Sequence, residues 1–137
     1  MADDLRANLA RLALFADLRR PALEQVAHAY REEVYEPGQR VLRRGLPGGG
    51  LYVVLDGEAS VEIDGNAVRR LGRGEFFGEI SVLNGEAPSA DVRAEGVLRC
   101  FVIPGDNLER FLLDHPQVML RMLQAEALRL RDATRWE

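Results

Sequence analysis

Apolar positions change period twice along this chain. In "DLRANLARLALF" Leu5, Leu9, Leu12 and Phe15 recur near helical spacing, and "RPALEQVAHAYREE" buries Leu23, Val26, Ala27 and Tyr30 on one side. Two helices are expected there, the second started by Pro21, with Asp17 capping a short turn. From Val34 the pattern becomes short alternating or continuously apolar pieces: "EVYEPGQRVLRRG", "GLYVVLDGEASVEIDG", "NAVRRLGRGEFFG" and "VLRCFVIPG". Gly38, Gly45, Gly57, Gly65, Gly72 and Gly74 punctuate them, close to the roughly 8–12-residue rhythm of a sandwich or barrel. "IDGN" is a hairpin turn, because Asp-Gly readily takes positive φ. "EPGQ" is a turn in which Pro37 sets φ.

Helical spacing returns after Pro104. "GDNLERFLLDHP" predicts a short helix capped by Asp106 or Asn107, with Leu108, Phe111 and Leu112 inward. Pro116 opens a long one, "PQVMLRMLQAEALRLRDATRW". On it Val118, Met122, Ala125 and Arg129 form one line, and Met119, Leu123, Ala127 and Leu130 a second. So wide a stripe either packs wholly on the β-region or leaves a seam for a second copy, a homodimer through the C-terminal helix. The expected fold is mainly β with flanking helices, a β-roll or jelly-roll in one domain over 1–137. Helices occupy 1–33, the roll 34–104 and further helices 105–137.

Composition narrows the function. The 137 residues suit a single domain that buries a core without staples. The single cysteine, Cys100, lies in the apolar run "LRCFVI" and reads as an inert buried thiol. No apolar run approaches a membrane span and "MADDL" is no signal peptide, so a cytoplasmic setting is expected. All 18 basic residues are arginine, scattered among acids, and the net charge is −4. No basic face of the kind nucleic acid needs is evident. His28 and His115 are the only imidazoles and lie far apart, so neither a metal site nor a cofactor is expected. Gly-x-Ser-x-Gly and the phosphate-loop lysine are missing, so neither is an enzyme.

One segment stands out, "FGEISVLNGEAPSADV" over 77–92. Gly78, Ser89 and Ala90 leave the backbone open to approach, and Ser89 adds a hydroxyl. Such segments bind anions through converging N–H groups, yet this one holds no Lys, Arg or His. With "YEPGQRVLRRGLPGGGLYVVLDGEASVEI" before it, the segment resembles the phosphate-binding cassette of the cyclic nucleotide-binding domain family. That family includes catabolite activator proteins, protein kinase A regulatory subunits and cyclic-nucleotide-gated channels.

The resemblance implies a regulatory ligand, cyclic AMP or cyclic GMP. Glu79 would accept a hydrogen bond from the ribose 2′-hydroxyl. Gly78, Ile80, Ser81, Ser89 and Ala90 would serve the cyclic phosphate, helped by the positive end of a short helix near Ile80 to Asn84. Val61 and Val68 would line the base and Thr134 cap it, whereas Trp136 reads as a chain end. The departure is at Pro88, where the family pattern carries the phosphate-forking arginine. A hydrogen bond to a charged group contributes about 1.5–3 kcal/mol, so its loss weakens binding by about ten-fold to several hundred-fold. Arg69 or Arg70 are the candidate substitutes; Arg73 and Arg93 read as surface charges. The resemblance implies a sensor that signals through its C-terminal helices, either as a piece of a transcriptional regulator whose helix-turn-helix would begin near Glu137 or as a stand-alone module. The alternative is a degenerate fold kept for dimerisation or protein contacts.

Overall fold

A computed structural model describes residues 2–133, with side chains from Asp4 onward. The N-terminal helices are α1 (Ala2–Ala10) and α2 (Arg20–Ala29), joined by a 3-10 turn at Ala13–Phe15. Eight strands follow: β1 (Arg31–Tyr35), β2 (Arg40–Leu42), β3 (Gly50–Asp56), β4 (Ala59–Ile63), β5 (Asn66–Leu71), β6 (Phe76–Phe77), β7 (Asp91–Ala94) and β8 (Leu98–Pro104). Helix α3 (Glu79–Asn84) interrupts them between β6 and β7. Helices α4 (Gly105–Asp114) and α5 (Pro116–Ala133) close the described chain.

The strands form two antiparallel four-stranded sheets, β1-β8-β3-β6 and β2-β7-β4-β5, the expected β-roll with flanking helices. Between β4 and β5 the expected hairpin has Asp64 at φ 52° and Gly65 at φ 80°, so both central residues take the positive φ of a tight two-residue turn. Three local expectations fail. The second helix stops at Ala29, and Arg31 already pairs with Val102, because Tyr30 turns extended and packs its ring edge-on against Phe101 and Phe111. Asp17 caps nothing. Arg19 is the N-cap of α2 without a side-chain bond, and Asp17 instead receives Arg121 Nε and Nη2 at 2.7 and 3.1 Å. Asp106 lies inside the first turn of α4, whose N-cap is Pro104.

Two apolar clusters hold the fold. One packs α1, α2, α4 and the start of α5 against β3 and β8, with Phe15 and Tyr30 edge-on to Phe101. The other fills the roll with Tyr35, Val54, Leu71, Phe77, Val92 and Cys100. Cys100 is fully buried as expected, and burial, with Glu33 nearby, pushes its thiol up to about 12. On α5 Val118 and Met122 are buried, while Leu123 and Leu130 of the second line, and Leu120 beside it, are at least half exposed. No helix among the described residues is long and apolar enough to cross a membrane.

Candidate functional site

Strand β6 pairs Phe77 with Tyr52 and stacks the two rings 5.0 Å apart. The chain must then reverse sharply into α3, and Gly78 makes the reversal at φ 89° as the N-cap. A Cβ there would lie 2.7 Å from the Gly50 carbonyl oxygen and 2.9 Å from Tyr52 Cδ1, so glycine is required both for φ and for space. The turn drives Glu79 inward: its side chain is 1% exposed. The Ser81 hydroxyl donates back to the Gly78 carbonyl at 3.3 Å, and Gly85 ends the helix at φ 70°.

A cavity of about 260 Å³ opens beside α3. Its apolar wall is Leu42, Val61, Leu71, Phe77 and Val92 from the roll. Its polar side is α3 and the following loop, with Glu79, Ser81, Asn84, Glu86 and Ser89. Of the residues singled out in the sequence, Gly78, Glu79, Ile80, Ser81, Pro88, Ser89, Ala90, Val61 and Arg69 line this cavity. Val68 does not. A bulge between Val61 and Glu62 pairs Val61 with Arg69, which brings Arg69 to the cavity and leaves Val68 more than half exposed. Arg70 is likewise outside the lining, 3.8 Å from Glu95. Arg73 donates to the Leu55 carbonyl, and Arg93 to the Gly38 carbonyl and Glu62. Thr134 and Trp136 lie outside the described residues.

The site's other arginine comes from far along the chain. Arg129, on α5, donates from Nη2 to the Phe76 carbonyl at 2.6 Å and from Nη1 to Glu126 Oε1 at 3.1 Å and Glu79 Oε2 at 3.4 Å. Its guanidinium also lies 4.3 Å from the centre of the Phe76 ring. Two carboxylates thus crowd one cation. Burial first, and then the neighbouring Glu126, push the Glu79 carboxyl up to about 8; Arg129 acts in the opposite direction. Glu126 Oε2 is buried without a hydrogen-bond partner.

A sequence model of the cyclic nucleotide-binding domain matches residues 32–115, which hold the roll, α3 and α4. The chain belongs to the cyclic nucleotide-binding domain family. Among relatives of this domain, the cGMP-dependent protein kinase of Eimeria tenella is 35% identical over 120 residues, covering 88% of this chain and 12% of that protein. The human potassium/sodium hyperpolarization-activated cyclic nucleotide-gated channel 4 is 32% identical, covering 88% and 10%. The chain therefore spans about a tenth of the length of these curated relatives.

Two solved structures share the domain's fold. The regulatory domain of Toxoplasma gondii protein kinase A with cAMP superposes with a TM-score of 0.76 at 22% identity, over 92% of this chain and 50% of that one. The regulatory subunit of a cAMP-independent protein kinase A from Trypanosoma brucei gives 0.78 at 24%, over 92% and 47%. Sequence reading missed the role of Arg129 and Glu126 in the domain. The available signal was an arginine continuing the buried line Val118, Met122, Ala125, where a solvated charge does not belong.

Proposed function

We propose that this chain is a ligand-sensing regulatory domain that takes a cyclic nucleotide into the cavity beside α3, weakly, and reports it through α5. The observation that carries the reading is the Glu79–Arg129 contact. The carboxylate suited to a ribose hydroxyl is the same one that tethers the C-terminal helix, so a ligand that takes Glu79 competes with Arg129. Ligand and helix position are thereby coupled, as a sensor requires, because only a ligand with different affinity for two arrangements shifts their balance. Ser81, Ser89 and the backbone around Gly78, Ile80 and Ala90 serve the phosphate side. Arg69 is the substitute cation for position 88; Arg70 points elsewhere. In a longer protein the helix movement would act on whatever follows α5, a DNA-binding segment of a transcriptional regulator being one such output.

A thermal-shift titration with cyclic AMP and cyclic GMP, with a fluorescent label on α5, tests the reading. Ligand at 100 times its dissociation constant adds about 2.7 kcal/mol of stability. A raised melting temperature together with a changed label environment supports it; a ligand that stabilises the domain without moving the label removes the relay.

The exposed Leu120, Leu123 and Leu130 favour a second reading, a module that pairs through α5 with another copy or a partner. Sedimentation of the wild type and Leu123→Glu separates the two. A concentration-dependent dimer lost in the variant, with no nucleotide response, favours pairing alone.

A further inference from the structure

The balance of charge around the cavity restricts what can enter it. The loop 86–90 brings Glu86, Ala87, Pro88, Ser89 and Ala90 to the lining and no cation. Pro88 is buried, has no N–H, and its carbonyl is taken by the Gly45 N–H at 2.9 Å. Both lining arginines are already engaged. Arg129 is held by Phe76, Glu126 and Glu79, and Arg69 lies 3.4 Å from Glu75. Three acidic side chains, Glu75, Glu79 and Glu126, lie against these two guanidinium groups, and Glu86 lines the cavity as well. A phosphodiester anion brought here loses water and meets no lining cation without an acidic partner of its own.

The same surroundings suit a ligand rich in hydroxyl donors. Glu79 is buried at the cavity, and Ser81, Asn84 and Ser89 add polar groups to the wall. A nucleoside offers its 2′, 3′ and 5′ hydroxyls, whereas the cyclic diester keeps only the 2′ and adds a charge. The volume of about 260 Å³ is also just below the roughly 300–1,000 Å³ of ordinary ligand pockets, which favours the smaller molecule.

We infer that the cavity prefers an uncharged nucleoside, its ribose diol on Glu79 and its base against Val61 and Leu71, over the corresponding 3′,5′-cyclic monophosphate. The inference rests on the proposal above that the cavity takes a ribose-bearing regulatory ligand.

Calorimetry of the whole chain with adenosine, guanosine, cyclic AMP and cyclic GMP tests it. At least one nucleoside is expected to bind about ten-fold or more tightly than its own cyclic monophosphate. Pro88→Arg restores a cation beside Ser89 and shifts the ratio toward the cyclic nucleotide by about ten-fold or more. Glu86→Gln, an exposed position that tolerates change, shifts it in the same direction by less. A wild-type chain that holds either cyclic nucleotide more tightly than the parent nucleoside overturns the inference and leaves the sensor reading standing. Silence toward both nucleosides also overturns it. Silence toward all four compounds removes the sensor reading as well.

Discussion

The two apolar clusters of this domain do different work. The one between the helices and β3/β8 is dry: Leu9, Phe15, Leu51, Val53, Phe101, Ile103 and Leu108 are all fully buried. The one inside the roll adjoins a cavity lined by Leu42, Leu71, Phe77 and Val92, with the buried Glu79 on its other side. Close packing maximises stability, and a region that keeps space and a buried acid for a ligand gives some of it up. Helix α5 belongs to both. Val118 and Met122 anchor it in the dry cluster, and Arg129, farther along, reaches the cavity. On the proposed sensor reading, a ligand would disturb the far end of α5 while its root stays packed.

That contrast is broken most directly at Phe101. Phe101→Ala removes the ring that Phe15 and Tyr30 meet edge-on, and a loss of about 3–5 kcal/mol in urea unfolding is expected. A loss below about 1 kcal/mol would mean that the helical cluster is not the main source of stability.

Gly78→Ala strains the turn into α3 and crowds Gly50 and Tyr52, at an expected loss of about 2–4 kcal/mol in the same assay. A milder effect would show that the reversal into the cassette is adaptable.

The buried acid makes a pH-dependent contribution. Since its folded value is raised from 4.5 to about 8, the folded protein keeps a proton that the unfolded chain releases. The contribution of Glu79 is therefore complete below about pH 4.5 and lost as pH rises through about 8. The wild type should lose on the order of 2 kcal/mol more than Glu79→Gln between pH 5 and 8.5. Parallel unfolding midpoints across that window would contradict a buried, protonated Glu79.

The smallest effect is expected at Arg129. Arg129→Gln removes the bond to Phe76 and the tie to Glu79, costing about 1–2 kcal/mol, and hydrogen exchange should quicken in the second half of α5 while its first two turns stay protected. Uniform exchange along the helix would show that the two regions are not separable.

The roll was legible in the sequence because its signals are local. Glycine spacing, the Asp-Gly hairpin and the cassette string each specify a few neighbouring residues. Glu79 was legible only through the resemblance of the cassette; that the turn at Gly78 sends its side chain inward came from the structure. The assignment of Val68 to the wall failed because simple alternation ignores a bulge, and one extra residue on β5, Val68 itself, puts Arg69 opposite Val61. The end of α2 was misplaced because Tyr30 obeys two rings from β8 and α4 rather than the helical spacing before it.

Taken alone, the chain's order of residues determined where helical and strand periods alternate and that the middle is a glycine-punctuated β-region, and its resemblance to the family added the β-roll and the missing cassette arginine. The first of these follow from short-range periodicity and turn chemistry, the last from residue identity set against the family's pattern. Only the tertiary structure decided which cations face the cavity, because Arg69 arrives there through a shift of strand register and Arg129 through the docking of a helix 50 residues beyond Glu79. Side chains so distant along the chain meet only once the core between them has packed.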